Sequence, residues 1–176
     1  MKIEDYDKDY NEAIFLSKVD HIFIMILDSI MENNMINVKH YLSEDMYNKF
    51  DQMVKDYSSK GLTRLFDEMN VKSTSINNFD VKDNLLNVNV TITSRYMDYF
   101  LDSNGEYVSG VNDHRIELNH NIVFSKRLDA KGLKESRDCP GCGNSLDINA
   151  TGVCPYCGMV IDMSKFDYII TSIDTF

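Results

Sequence analysis

The chain has 176 residues, which suits one ordinary domain and a small appendage, and its 43% hydrophobic content supports a packed core rather than disorder. A formal net charge of -10, with no cluster of Lys or Arg, repels phosphate backbones and argues against a nucleic-acid partner. The strongest apolar run, residues 22–27, is far short of the ~20 residues that a membrane-spanning helix needs.

Residues 1–10 form an acidic, polar segment without the character of an export signal, so the expectation is a soluble, cytoplasmic protein. Residues 11–128 read as one unit. From Glu12 to Glu32, Phe15, Val19, Ile22, Phe23, Ile26 and Ile30 recur at helical spacing, with Lys18, Asp28 and Glu32 largely opposite. Met25 and Met31 read as core filling rather than as ligands for a soft metal. A short helix fits "MINVKHYL" at 35–42. Ser43 then has the chemistry of an N-cap, with Glu44 and Asp45 in the first turn, where negative charge is favoured. Tyr47, Phe50, Val54 and Tyr57 make the apolar stripe of this helix, and Gly61 stops it.

After Gly61 the period changes to two. An irregular strand is expected around 71–81. In "LNVNVTITSRY", Leu86, Val88, Val90, Ile92 and Tyr96 share one face, while Asn87, Asn89, Thr91, Thr93 and Arg95 take the other. "DSNG" at 102–105 is a turn. "RIELNHNIVFSKR" alternates again, with Ile116, Leu118, His120, Ile122 and Phe124 together. Helices followed by a meander of one-sided strands predict an α+β domain, with helices packed on one sheet face.

A polar linker, "DAKGLKESR" at 129–137, leads into residues 138–176. Here Cys139, Cys142, Cys154 and Cys157 are arranged as C-x2-C-x11-C-x2-C, in the matched frames "CPGCG" and "CPYCG". Paired frames of this kind are the two knuckles of a zinc ribbon. Each supplies two thiolates across a tight turn, and Gly143 and Gly158 permit the positive φ that turns backbone amides towards sulfur. Leu146, Ile148 and Val153 around "NATG" predict a hairpin between them. "CPYC" is also an active-site string of glutaredoxin-like enzymes, but those require a cis-proline in a later loop. The only prolines, Pro140 and Pro155, lie inside the knuckles. Four cysteines leave no vacant position, so the zinc is expected to be structural rather than catalytic.

In "KFDYIITSI", Phe166, Tyr168 and Ile170 fall on one side of an extended strand, and Ile169 and Ile173 on the other. Both faces are apolar and both should be covered. The strand is expected to pair within the ribbon or along its edge and to press on the larger domain.

The segments "YLSEDMYNKFDQMV", "VNVTITSRYMDYFLDSNGEYVSG" and "CPGCGNSLDINATGVCPYCGMVIDMSKFDYIITSI" resemble bacterial proteins related to the C-terminal domain of the mitochondrial inner-membrane translocase subunit Tim44. The resemblance is most specific in the ribbon and diffuse over the helices. It implies a cone of the nuclear-transport-factor-two type, with helices in the concave side of a curved sheet and an apolar cavity between them. It also implies a transport-associated, non-enzymatic module that binds a protein segment or apolar ligand. The acidic balance and the lack of a spanning run argue against membrane contact. An alternative is a small-molecule isomerase or dehydratase using His120, or Asp98 beside Tyr96, as a polar group in the pocket. The competing reading of His120 is a hydrogen-bonded core histidine. His21, beside Asp20, reads as an exposed helix side chain, and His40 and His114 show no partner pattern.

Overall fold

A computed structural model describes residues 1–130, 138, 139, 141–145, 153–159, 167–174 and 176. Asn11 opens α1 (Glu12–Met31): its side-chain oxygen accepts from the Ile14 amide at 3.0 Å, which satisfies one of the free donors of the first turn. The face formed by Phe15, Val19, Ile22, Phe23, Ile26 and Ile30 is buried, as its spacing predicts, and Met25 and Met31 pack beside it. The expected short helix is present at Ile36–Tyr41 and is of the 3₁₀ type. A segment of this length makes too few i to i−4 bonds to offset the cost of nucleating an α-helix. Ser43 caps α2 (Glu44–Ser59) through the Met46 amide, and Gly61 follows its end at φ 67°.

Four antiparallel strands stand in chain order: β1 (Thr63–Lys82), β2 (Leu85–Leu101), β3 (Tyr107–Arg127) and β4 (Ile169–Ile173). The inner face of β2 buries Leu86, Val88, Val90, Ile92, Ser94 and Tyr96 against the helices. The outer face is a polar lattice. Asn89 donates to Asn78 at 2.6 Å, Thr91 to Asn121 at 2.8 Å and Thr93 to Asn119 at 2.7 Å. One wet face and one dry face are the condition under which strict alternation is readable.

β1 is longer than the expected 71–81, and its irregular pattern has a physical cause. Its register against β2 shifts between Asp67 and Asn70, between Val71 and Ser73, and between Ile76 and Asn78. Each extra residue reverses which positions face the core, so no single period runs through the strand. Glu68 takes φ 50° at the first shift. β3 starts at Tyr107, before the expected 115, and its register slips where Tyr96 pairs Ile116 but Asp98 pairs Val111. Gly110, at φ 101°, is required there, because a Cβ would meet the Asp98 carbonyl at 2.4 Å.

The C-terminal strand corrects an expectation. β4 pairs with β3 of the main sheet, Ile170 opposite Phe124 and Ile173 opposite Ile122, instead of within the ribbon or along its edge. Its covering on both faces is as expected: Tyr168, Ile169, Ile170 and Ile173 are all buried. Phe166 and the hairpin positions Leu146 and Ile148 lie outside the described residues. The Ile170 carbonyl accepts from the Ser43 amide at 2.9 Å, so β4 also anchors the start of α2. The N-terminal segment packs on the same corner. Ile3 is buried, and the Asp7 carboxylate accepts from Lys126 and from the Tyr168 hydroxyl, both at 2.9 Å. Among the described residues no helix is long and apolar enough to cross a membrane.

Ile170 is fully buried, so Ile170→Ala should cost about 2–5 kcal/mol of folding stability. Urea unfolding followed by helical circular dichroism checks this. A loss under about 1 kcal/mol would show that β4 contributes little to the cone.

Candidate metal centre and cone interior

Two sets of chemistry-bearing side chains stand out, one in the cysteine pairs and one inside the cone. In the first, the four Sγ atoms of Cys139, Cys142, Cys154 and Cys157 all lie within 4.8 Å of one another. Cys139 and Cys157 approach to 3.6 Å, and Cys142 and Cys154 to 3.7 Å. Both approaches join different knuckles. A zinc–sulfur bond of about 2.3 Å places the corners of a tetrahedron about 3.8 Å apart, so the spacing fits a four-thiolate metal site. It is far from the ~2.05 Å of a disulfide.

The knuckles are built alike. Gly143 donates to the Cys139 carbonyl at 2.8 Å and Gly158 to the Cys154 carbonyl at 2.9 Å, with φ 75° and 76°. The Cys139 amide returns to Asn144 and the Cys154 amide to Met159, each at 2.8 Å. The Gly141 amide and the Asn144 side chain each reach a sulfur at 3.3 Å. These donors favour thiolate. The backbone and side-chain amides of Asn144 draw Cys142 down to about 6. At Cys157 the Met159 amide pulls the same way, but crowding by the other three sulfurs pushes it up to about 12. A cation between the four sulfurs would relieve this crowding and allow all four to ionise.

Inside the cone, His120 is fully buried. Its Nε2 lies 2.9 Å from the Ser94 hydroxyl and 3.4 Å from the Tyr96 hydroxyl. The ring packs against Phe23 at 4.9 Å and stacks on Phe176 at 5.2 Å. Burial pushes the imidazole down to about 4, against the opposing charge of Asp174, and burial pushes the Tyr96 phenol well above its usual range. Asp98 is engaged elsewhere. Its carboxylate receives Arg64 in a fork, at 2.9 and 2.7 Å, and Arg64 also donates to Tyr57 at 3.3 Å. That pair is only 12% and 18% exposed, so the Asp98 charge is neutralised by its partner.

The Tim44-like domain family matches residues 1–135. The chain belongs to the Tim44-like family. No curated protein sequence matches it. Among solved structures, the intermembrane space region of the chloroplast protein ARC6 is similar over 90% of this chain and 94% of its own, with a TM-score of 0.47 and 9% identity.

Within this Tim44-like domain the other histidines are placed simply. His21 is exposed, His114 bonds its neighbour Asp113 at 2.7 Å, and His40 packs against Tyr41 with ring planes 40° apart. The structure adds three interior groups that alternation overlooked: Ser94, Arg64 and Phe176. Ser94 carried a signal, as a hydroxyl on the apolar face of β2 near His120 on β3. Arg64 and Phe176 carried none, because both meet their partners across long stretches of chain.

The His120 environment sets a pH dependence. The unfolded imidazole titrates near 6.5, whereas the buried one resists protonation until about 4. Below 6.5 the unfolded chain takes up a proton that the folded chain refuses. This contribution to stability is therefore complete above pH 6.5 and lost as pH falls towards 4, with a slope of at most about 1.4 kcal/mol per unit. His120→Gln should flatten the fall between pH 7 and 4.5. Equal slopes in parent and variant would refute the assignment.

Proposed function

We propose that this Tim44-like chain is a non-enzymatic, transport-associated interaction module that binds a protein segment or an apolar ligand. A structural zinc site at its C-terminal end braces it, and it works in the cytoplasm. The observation that carries the reading is the state of the cone interior. The strongest candidate for acid–base chemistry, His120, is enclosed by Ser94, Tyr96, Phe23 and Phe176 and is fully buried. The other candidate, Asp98, is already paired with Arg64. An isomerase would need such groups to face bound substrate within hydrogen-bond reach. Family membership over residues 1–135 supports an interaction role. The net charge of -10 is unsuited to nucleic acid or anionic lipid and favours a protein partner.

Cys139, Cys142, Cys154 and Cys157 would hold the zinc, which would join the two knuckles and supply positive charge to four thiolates. With every ligand position taken by sulfur, it would offer no site for substrate.

Two measurements test the reading. Native mass spectrometry of the chain purified from its own cell should recover a bound protein. Recovery of the bare chain, together with turnover lost in His120→Gln, would turn the reading towards an enzyme. Metal analysis should find about one zinc per chain. Cys154→Ser should abolish zinc binding while leaving most of the helical signal, since α1 and α2 pack in a core that excludes the cysteines. Protein that arrives metal-free with two disulfides would overturn the zinc site.

A further inference from the structure

Phe176 lies beyond the end of β4, and its ring turns into the cone. It stacks on His120 with planes 15° from parallel. Phe66 of β1 meets it nearly edge-on at 5.9 Å, Phe50 of α2 stands at 6.0 Å and Phe23 of α1 at 6.3 Å. The Arg64 guanidinium lies 5.9 Å from the ring centroid. One ring thus meets both helices and two strands. It is itself only half-buried, while Phe23, Phe50, Phe66 and His120 around it are buried. The ring therefore lies at the edge of the core rather than in its middle.

Among the described residues next to it, Asp174 is held to β3 by hydrogen bonds to Asn121. The Asp174 carboxylate accepts from the Asn121 amide at 2.9 Å and from its side chain at 2.8 Å, and the Asp174 amide donates back at 3.2 Å. These groups are exposed. Water competes for such bonds, so the latch can be exchanged at little cost.

We infer that Phe23, Phe50, Phe66, His120 and Arg64 form a binding site for an aromatic ring, that Phe176 is its built-in occupant, and that an aromatic side chain of a bound protein segment displaces it. The lining selects for aromatic character. His120 offers a flat face, Phe66 an edge, and Arg64 a cation that Asp98 holds in place. A ring with a negative face is favoured by all three over an aliphatic group of equal size. The inference deepens the interaction reading and rests on it for the nature of the ligand.

The test uses the zinc-loaded full chain and two probes of matched shape, toluene and methylcyclohexane. Phe176→Ala empties the site. Toluene should then raise the melting temperature and shift the His120 ring signals, with no such effect on the parent. Methylcyclohexane should bind roughly tenfold more weakly. Asp174→Ala keeps the ring and removes the latch, and should bind toluene better than the parent, which gives an answer even if Phe176→Ala does not fold. Toluene failing to bind either variant, or methylcyclohexane binding equally well, would overturn the site. The interaction reading is judged separately by partner recovery with the unmodified chain. Toluene entry without a recovered partner sinks that reading alone, and a recovered partner without toluene entry sinks the aromatic site alone.

Discussion

The pairing of β4 with β3 is the constraint on which the rest of the cone depends. Four residues of β3, 122–125, take their partners from β4 at the far end of the chain. β4 does more than extend the sheet. Ile170 is buried opposite Phe124, bridges to Leu42 and accepts the Ser43 amide at the start of α2. Just before it, Asp167 pairs with Lys18 of α1, and Tyr168 donates to Asp7 of the N-terminal segment. The Tyr168 ring also packs edge-on against Phe15 at 5.1 Å. Both helices, the N-terminal turn and the sheet therefore converge on one short strand.

This pairing makes the cysteine cluster an insertion between neighbouring strands. The cost of closing a loop grows only logarithmically with its length, about 0.6 kcal/mol per doubling, so a ribbon between β3 and β4 is a tolerable interruption. A metal joining Cys139 and Cys142 to Cys154 and Cys157 would shorten the free path still further. A metal bound there would couple its own loading to closure of the cone through the backbone.

The interior polar groups fit the same economy. A histidine on the dry face of a sheet must find a partner or lose several kcal/mol of hydration. Ser94 and Tyr96 on the adjacent strand provide the bonds, and Phe23 and Phe176 cover the ring. The Arg64–Asp98 fork solves the same problem at the wetter end of β2, where two charges neutralise each other and the guanidinium also lies 4.8 Å from the Phe66 ring. Such a lining holds its polar groups in hydrogen bonds and an ion pair. It fixes where rings sit and leaves the charged groups already engaged.

What the sequence determined by itself was whatever is encoded over short stretches. The cap at Ser43, the apolar stripe of α1, the alternation of β2 and the matched cysteine frames all depend on residues a few positions apart, and each was legible. The α+β class followed from them, as did the four residues of the cysteine site. The tertiary structure alone decided which elements meet. The true length of β1 was hidden because three register shifts scramble its period. The partner of β4 was hidden because two apolar faces show that a strand is covered without showing by what. The pairing of Asp98 with Arg64 and the seating of Phe176 on His120 were hidden for the same reason. Local pattern reports that a side chain needs burial or a bond, and only the folded chain, by bringing residues 34 and 56 positions apart into contact, determines which partner meets that need.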